Sequence, residues 1–245
     1  MFTREGPTFR ELAAQALSSV ERGYDLLAPK FDHTPFRTQP AVLDATAAAL
    51  AEYGPFADGL DVCCGTGAGT EMLRRVCGRR VVGVDRSAGM LAVGRAALGE
   101  GDGGGDGPRT VWVRGDARAL PFAPVFDLAV SFGAFGHFLP REWPGLFAQV
   151  RGVLRPGGRF VFPVVAPARP GSAAYWALWA FDGAMRVRNA VWRPPFVMYY
   201  RPFRPGEVRA ALERAGFAVG LRALPELGTR PDGAPRCRLV VARRD

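Results

Sequence analysis

The chain has 245 residues, 48% of them hydrophobic, which suffices for one domain of the doubly wound kind with an elaboration and requires no second domain. Its formal net charge is +9, and the basic residues are arginines spread over the whole chain, with Lys30 the single lysine. We interpret this charge as a compositional bias and do not favour nucleic acid as a partner. The first residues lack the apolar core of a signal peptide, and no apolar run approaches the ~20 residues of a membrane span, so a cytoplasmic protein is expected.

The cysteine and histidine content does not predict a metal centre. The four cysteines contain no C-x-x-C pair, and only two histidines could join them as ligands. The adjacent Cys63 and Cys64 stand at the end of a predicted strand, where small buried thiols fit. We expect reduced thiols and no metal ion.

The N-terminal region, residues 1–54, is expected to form a helical cover over a sheet. Residues 8–20 and 39–53 have amphipathic helix spacing. Between them lies Tyr24-Asp25-Leu26-Leu27-Ala28-Pro29-Lys30-Phe31-Asp32, whose aromatic residues suit either a ligand contact or an anchored helix end.

A glycine-rich turn follows the first predicted strand, residues 60–64. It reads Gly65-Thr66-Gly67-Ala68-Gly69-Thr70 and leads into a helix. Such a turn lets the backbone approach a nucleotide-like cofactor. A dinucleotide fingerprint would require a third glycine where Thr70 stands, which weakens an NAD interpretation without excluding it.

The second predicted strand, residues 79–85, ends in Asp85, about 20 residues beyond the glycine turn. This spacing is the one expected for a carboxylate that accepts hydrogen bonds from ribose hydroxyls. Ser87 is available to cap the following helix, so we expect Asp85 to be free for a ligand. Arg86 and Met90 would then lie beside an adenine ring.

The third and fourth strands are predicted at residues 110–114 and 126–131. Phe132 to Phe138 extends beyond the carboxyl end of the fourth strand, where open α/β sheets bind ligands. His137 could accept a proton from a substrate or orient it. A histidine packed beneath the edge of the sheet is an equal alternative.

The C-terminal third contains an insertion and the last strands. After a fifth strand that ends near Phe162, residues 163–203 are rich in aromatic side chains and suit a substrate lid, although a subdomain core or a dimer contact would have the same composition. A helix over residues 205–217 and two strands, residues 217–224 and 236–242, complete the chain.

Four motifs in a fixed order resemble the class I S-adenosylmethionine (SAM) methyltransferases, in particular the small-molecule branch that includes the ubiquinone/menaquinone C-methyltransferases. They are the D-V-C-C-G-T-G loop from Asp61, the strand that ends in Asp85, the G-D-A-R-A-L-P-F stretch from Gly115, and the L-R-P-G-G-R-F stretch from Leu154. The chain departs from the family at Cys63, where many members have glycine, and at residues 135–138, which keep one of two histidines.

The resemblance implies a Rossmann-like, doubly wound α/β sheet of seven strands, mostly parallel with an antiparallel C-terminal hairpin, with a helical and aromatic insertion after the fifth strand. It implies SAM as the cofactor, Asp116 and the amide of Ala117 as adenine contacts, and the segment from Tyr24 as a cover over the methionine end. The expected cofactor-binding residues are Tyr24, Asp61, Gly65, Thr66, Gly67, Asp85, Arg86, Met90, Asp116, Ala117 and Phe132, with His137 as a catalytic residue.

The implied activity is methyl transfer from SAM to a small apolar or aromatic acceptor by in-line displacement. The alternatives are an NAD-dependent oxidoreductase and an RNA methyltransferase. A homodimer is compatible with the sequence.

Overall fold

The computed structural model describes residues 5–101, 107–192, 196–198 and 205–245. The described strands form one sheet: β1 (Phe56–Val62), β2 (Cys77–Asp85), β3 (Arg109–Arg114), β4 (Phe126–Val130), β5 (Leu154–Val165), β6 (Phe217–Ala223) and β7 (Cys237–Arg244). The α-helices are α1 (Phe9–Leu17), α2 (Val20–Leu27), α3 (Pro40–Leu50), α4 (Ala68–Leu73), α5 (Ala88–Leu98), α6 (Trp143–Val153), α7 (Ala173–Val191) and α8 (Pro205–Arg214). Short 3-10 helices cover Ala28–His33, Ala134–His137, Pro140–Glu142 and Pro225–Leu227.

The strand order is β3-β2-β1-β4-β5-β7-β6, with β1 to β5 parallel and β7 antiparallel to both β5 and β6. From β1, the strands β2 and β3 extend the sheet in one direction, whereas β4 and β5 extend it in the other. The strand order therefore reverses between β1 and β4. The predicted Rossmann-like fold with an antiparallel C-terminal hairpin is confirmed.

Both faces of the sheet are covered, because side chains along each central strand alternate between two cores. Phe160 and Phe162 of β5 pack with α6 and α8, whereas Val161 between them packs with α3 and α4. Phe160, Val161 and Phe162 are each at most 1% exposed. This double layer fixes the strand ends and therefore the loops that follow them.

Several element boundaries differ from the sequence-based expectation. The helix predicted over residues 8–20 is two helices, because Ser18 ends α1 in an extended conformation and Ser19 caps α2. The fifth strand begins at Leu154, so the whole L-R-P-G-G-R-F stretch lies within β5, where Gly157 has φ 79° and the pairing with β4 shifts register.

The aromatic insertion is helical over α7, a single helix of 19 residues. Residues 193–195 and 199–203 of the predicted insertion lie outside the described residues. No helix in the described part of the chain combines the length and apolar character that a membrane crossing needs.

Candidate active site

The glycine loop after β1 takes a left-handed turn at three positions. Cys63 has φ 59°, Gly65 has φ 54° and Gly67 has φ 94°. Cys63 is thus a non-glycine residue in the left-handed region, a conformation that favours a residue without a side chain. Gly67 then begins α4 as its N-cap.

Three glycines of this loop serve different purposes. A Cβ on Gly65 would meet nothing within 4 Å, so its backbone faces open space. A Cβ on Gly67 would lie 2.6 Å from the ring of Trp112, and a Cβ on Gly69 would lie 2.6 Å from Oδ2 of Asp61. Gly65 therefore leaves room for a ligand, whereas the other two allow close packing within the protein.

The carboxylate of Asp85 is tied to two backbone amides. Oδ2 accepts a hydrogen bond of 2.9 Å from Gly65 N, and Oδ1 accepts one of 2.9 Å from Ser87 N. Ser87 does cap α5, as expected, because its Oγ accepts from Met90 N at 3.1 Å. The expectation that Asp85 is free to bind a ligand stays a prediction, and the structure adds two backbone amides as partners of its carboxylate. Each carboxylate oxygen accepts more than one hydrogen bond, so both retain capacity toward a ligand.

The N-terminal segment is held against the loops that follow β1 and β2 by two aspartates. Oδ1 of Asp25 accepts from Ser87 Oγ at 2.5 Å and from Gly89 N at 2.9 Å. Oδ1 of Asp32 accepts from Thr66 Oγ1 at 2.6 Å. Both aspartates follow an aromatic residue in the sequence. This pattern drew attention to the segment but did not indicate which residues the aspartates would bind.

A second carboxylate lies beyond the end of β3. Asp116 accepts a hydrogen bond of 2.9 Å from Arg118 N and lies 3.4 Å from the guanidinium of Arg86. Arg86 also contacts Glu21 of α2 at 3.2 Å. Glu21 and Arg118 were not among the expected site residues. The neighbouring Ala117 and Met90 are buried.

These groups meet in one cavity of about 830 Å³, within the range of about 300–1,000 Å³ typical of small-molecule pockets. Of the expected site residues, the cavity wall contains Tyr24, Asp61, Gly65, Thr66, Asp85, Arg86, Met90, Asp116, Ala117, Phe132 and His137. Gly67 is not part of the wall, because it faces Trp112. Further wall residues that the sequence did not single out include Phe36, Thr38, Phe138, Val165 and Val197.

Asp61 is the most deeply buried acid of the cavity, with 1% of its surface exposed. Thr70 Oγ1 donates to its Oδ2 at 3.0 Å. Burial raises the pKa of Asp61 to about 7, and the nearby charge of Asp85 adds to the effect. Burial also raises the pKa of Asp85. Two buried carboxyl groups with raised pKa values in one cavity are typical of a functional site.

His137 is also part of the cavity wall and is engaged at both nitrogens. Its Nε2 lies 2.9 Å from the hydroxyl of Tyr24, and its Nδ1 lies 2.8 Å from the carbonyl oxygen of Val197. Burial lowers the pKa of His137, which favours the neutral ring. In a neutral ring with a proton on Nδ1, Nδ1 donates to Val197 and Nε2 accepts from Tyr24.

The thiols near the cavity are not poised as nucleophiles. Burial is the main cause that raises the pKa of Cys63 and Cys64 well above the usual range, with the nearby aspartates adding to it. Neither forms a disulfide. Among the residues that the structure describes, no group of three or more His, Cys, Asp and Glu side chains is arranged to hold a metal ion.

Sequence relatives share residues 60–158, which supply more than half of the cavity wall but not its N-terminal part. A family model described as a methyltransferase domain matches residues 60–158. A 2-phytyl-1,4-naphtoquinone methyltransferase of Thermosynechococcus vestitus is 38% identical over 105 residues, 42% of this chain and 44% of that protein. The ubiquinone/menaquinone biosynthesis C-methyltransferase UbiE of Paracoccus denitrificans is 41% identical over 105 residues, 42% of this chain and 40% of that protein. The match thus spans less than half the length of these curated relatives.

A solved structure supports the fold over more of the chain. A SAM-dependent methyltransferase of Methanosarcina mazei superimposes with a TM-score of 0.61, at 18% identity, over 80% of this chain and 96% of that one. Three observations agree on a methyltransferase-like fold: the strand order, the order of the four motifs and the match over residues 60–158. Over residues 60–158 the chain is therefore similar to methyltransferase domains, with quinone C-methyltransferases among its sequence relatives.

Proposed function

We propose that the protein transfers a methyl group from SAM to a small apolar or aromatic acceptor by in-line displacement. The observation that carries this proposal is the cavity itself. Its wall contains Asp85 and Asp116 at two neighbouring strand ends and the Tyr24–His137 pair beyond β4. One cavity therefore brings together groups suited to a nucleoside and groups suited to an acceptor.

The residues present fit the cofactor. The open space beside Gly65 is a cradle that a Cβ would fill, and the strand-end carboxylates suit the hydrogen-bond donors of an adenosyl group. In the proposal Asp85 holds the ribose hydroxyls, Asp116 and Ala117 N hold the adenine, and Met90 and Arg86 flank it. Asp61, Thr66 and the segment from Tyr24 enclose the methionine end, and Gly67 shapes the loop. When bound, SAM supplies a methyl group on a positively charged sulfur, which is a good leaving group.

The protein contributes orientation and exclusion of water at the acceptor end. Aromatic side chains form much of the cavity wall: Tyr24, Phe31, Phe36, Phe132 and Phe138. A planar apolar molecule fits such a lining. Tyr24 and His137 then form a proton-accepting pair for an acceptor that must lose a proton: the tyrosine oxygen takes it, and Nε2 of the neutral imidazole takes the tyrosine proton.

The names of the sequence relatives point to a ring acceptor. Both curated relatives described above are named for methylation of quinone compounds. We therefore propose a reduced quinone or a related phenol as the acceptor class. Neither comparison favours an oxidoreductase or an RNA methyltransferase. A cytoplasmic location, a homodimer and the absence of a nucleic-acid partner remain proposals.

The first experiment is calorimetric titration of the purified protein with SAM and S-adenosylhomocysteine, with NAD as the control. Binding of both sulfur ligands in the micromolar range, followed by S-adenosylhomocysteine formation with a hydroquinone or phenol, supports the proposal. Binding of NAD with no response to either sulfur ligand would overturn it in favour of an oxidoreductase. Methylation of RNA, with steeply salt-dependent binding, would overturn the acceptor assignment.

A further inference from the structure

A second depression, of about 240 Å³, lies beside the cavity. Its wall is formed by three arginines, two prolines and two small apolar residues: Arg169, Arg230, Arg236, Pro167, Pro231, Val165 and Ala166. We call it the arginine depression. No residue of it belongs to the expected cofactor site.

The topology places the arginine depression at the carboxyl edge of the sheet. β5 ends at Val165, and antiparallel β7 begins at Cys237, directly opposite in register. Val165 is 60% exposed and forms part of the wall of both the cavity and the arginine depression. The cavity and the arginine depression therefore adjoin at Val165.

The backbone around the arginine depression is fixed by hydrogen bonds. Ala166 N donates to Arg236 O at 2.7 Å, and Arg236 N donates to Gly228 O at 3.0 Å. Arg230 N donates to Ala234 O at 2.7 Å, and Arg236 Nε donates to Thr229 O at 3.0 Å. The arginines thus project from a braced loop and a strand end.

The charge of the arginine depression is poorly compensated within the chain. The guanidinium of Arg230 contacts Asp232 at 3.6 Å, and its side chain is 24% exposed. Within the described residues, neither Arg169 nor Arg236 has an acidic partner. Three arginines against one aspartate leave a net charge of +2 (three less one) beside an apolar wall.

Arginines in the wall of the cavity differ, because they pair with acidic side chains. Arg86 pairs with Glu21 and Asp116, and Arg118 pairs with Glu142 at 2.9 Å. The cavity and the arginine depression therefore differ in how their arginines are paired. A planar guanidinium binds carboxylate and phosphate oxygens through two parallel hydrogen bonds.

We propose that the arginine depression binds an oxyanion substituent of the acceptor, a carboxylate or a phosphate, while the ring to be methylated lies in the cavity. This inference rests on the proposed function and narrows its acceptor class to ring compounds that carry an anionic group remote from the methylated atom. Arg169 and Arg236 are specificity-determining residues in this arrangement. Neither takes part in binding the cofactor.

The test uses a matched pair of probes, 6-hydroxy-2-naphthoate and 2-naphthol, titrated by calorimetry into protein saturated with S-adenosylhomocysteine. The carboxylate probe should bind at least about tenfold more tightly, the effect expected of a charge-assisted hydrogen bond. Arg169→Gln and Arg236→Gln should each remove most of that difference and leave the affinity for 2-naphthol unchanged. Raising the salt concentration should weaken only the carboxylate probe.

Arg209→Gln on α8 is the matched control, because Arg209 pairs with Glu213 on the same helix and lies outside the cavity and the arginine depression. It should retain the full preference for the carboxylate. Arg236→Gln also removes the hydrogen bond to Thr229, so it could disturb the loop. Arg169→Gln tests the same charge without that loss, and an unchanged affinity for S-adenosylhomocysteine shows that the fold of each variant is intact.

Equal binding of the two probes, binding of neither, or a preference that survives both arginine substitutions would overturn this inference while leaving the proposed function in place. Failure to bind S-adenosylhomocysteine at all would overturn the proposed function and this inference with it. The two failures are therefore distinguished in one titration series.

Discussion

The amide of Gly65 donates a hydrogen bond of 2.9 Å to Oδ2 of Asp85 and so joins the loop after β1 to the end of β2. Ser87 N donates to the other carboxylate oxygen. One side chain thereby fixes both the glycine loop and the entry into α5. The carboxylate proposed to bind ribose also organises the walls of the site.

Asp85→Ala is expected to weaken SAM binding by ~1–3 kcal/mol, because it removes a hydrogen-bond acceptor for the ligand. It should also lower the melting temperature of the free protein, since two backbone amides lose their partner. Asp85→Asn should retain more stability than the alanine variant, because its one carbonyl oxygen still accepts. Calorimetry and thermal unfolding measure the two effects.

Asp44→Ala is the control for this prediction. Asp44 is an exposed aspartate of α3 that pairs with Arg75 at 2.7 Å, outside the cavity wall. It should bind SAM with the affinity of the unchanged protein. Unaltered SAM affinity in Asp85→Ala would remove Asp85 from the cofactor site.

Two glycines of the same loop should separate binding from stability. Gly65→Ala places a methyl group into the open cavity, so we expect a large loss of SAM affinity at a stability cost of about 1–2 kcal/mol from its left-handed φ. Gly67→Ala places the methyl group 2.6 Å from Trp112, so it should cost more stability. Denaturant unfolding and calorimetry of both variants give the comparison. Equal stability losses would contradict the assigned roles.

The sequence predicted the sheet and most of one side of the cavity, because both depend on local patterns. Apolar runs that end in Asp85, or just before Asp116, identify parallel strands with carboxylates at their carboxyl ends, and such ends meet at one edge of a sheet. Gly65 belonged to the same pattern. Their convergence in one cavity follows from topology alone.

The contacts between distant segments could not be predicted in this way. Asp25 and Asp32 bind to Ser87 and Thr66, and nothing in the local spacing of a short helix indicates partners that far along the chain. The same holds for the pairing of His137 with Tyr24, at a separation of 113 residues. The sequence left the two roles of His137 open because its hydrogen-bond partners depend on the packing of the N-terminal segment.

Tyr24→Phe should separate proton transfer from cofactor binding. It removes the hydroxyl that lies 2.9 Å from His137 Nε2 and keeps the ring in the cavity wall. With an acceptor that must lose a proton we expect kcat to fall by about 100-fold, while SAM affinity changes little. Because burial lowers the pKa of His137, the acid limb of the pH profile of kcat should lie below the ordinary imidazole value.

Tyr53→Phe provides the matched control, since Tyr53 packs against Arg159 and lies outside the cavity wall. Its kcat should equal that of the unchanged enzyme. If Tyr24→Phe and Tyr53→Phe had the same kcat, Tyr24 would have no part in proton transfer, and the Tyr24–His137 bond would serve only to hold the N-terminal segment.

The raised pKa of Asp61 predicts a pH dependence of stability with a definite sign. Asp61 has a pKa of about 7 in the folded protein and an ordinary value of 3.8 when unfolded, so the folded state binds more protons between those values. Stability should therefore fall as the pH rises from about 4 to about 7 and change no further above that window through this group.

Asp61→Asn removes this titration and retains an oxygen that accepts from Thr70. The variant should gain stability relative to the unchanged protein as the pH rises through the window. Asp85, whose pKa is also raised, titrates in both proteins, and its charge near Asp61 couples the two groups, so the difference reports Asp61 together with that coupling. Thermal unfolding of the free proteins at intervals from pH 4 to pH 8 measures this difference. Parallel curves of stability against pH for the two proteins would contradict this prediction, because Asp61 would then already be ionised in the folded protein at pH 4. The cavity would in that case stabilise a buried carboxylate that burial alone would keep protonated.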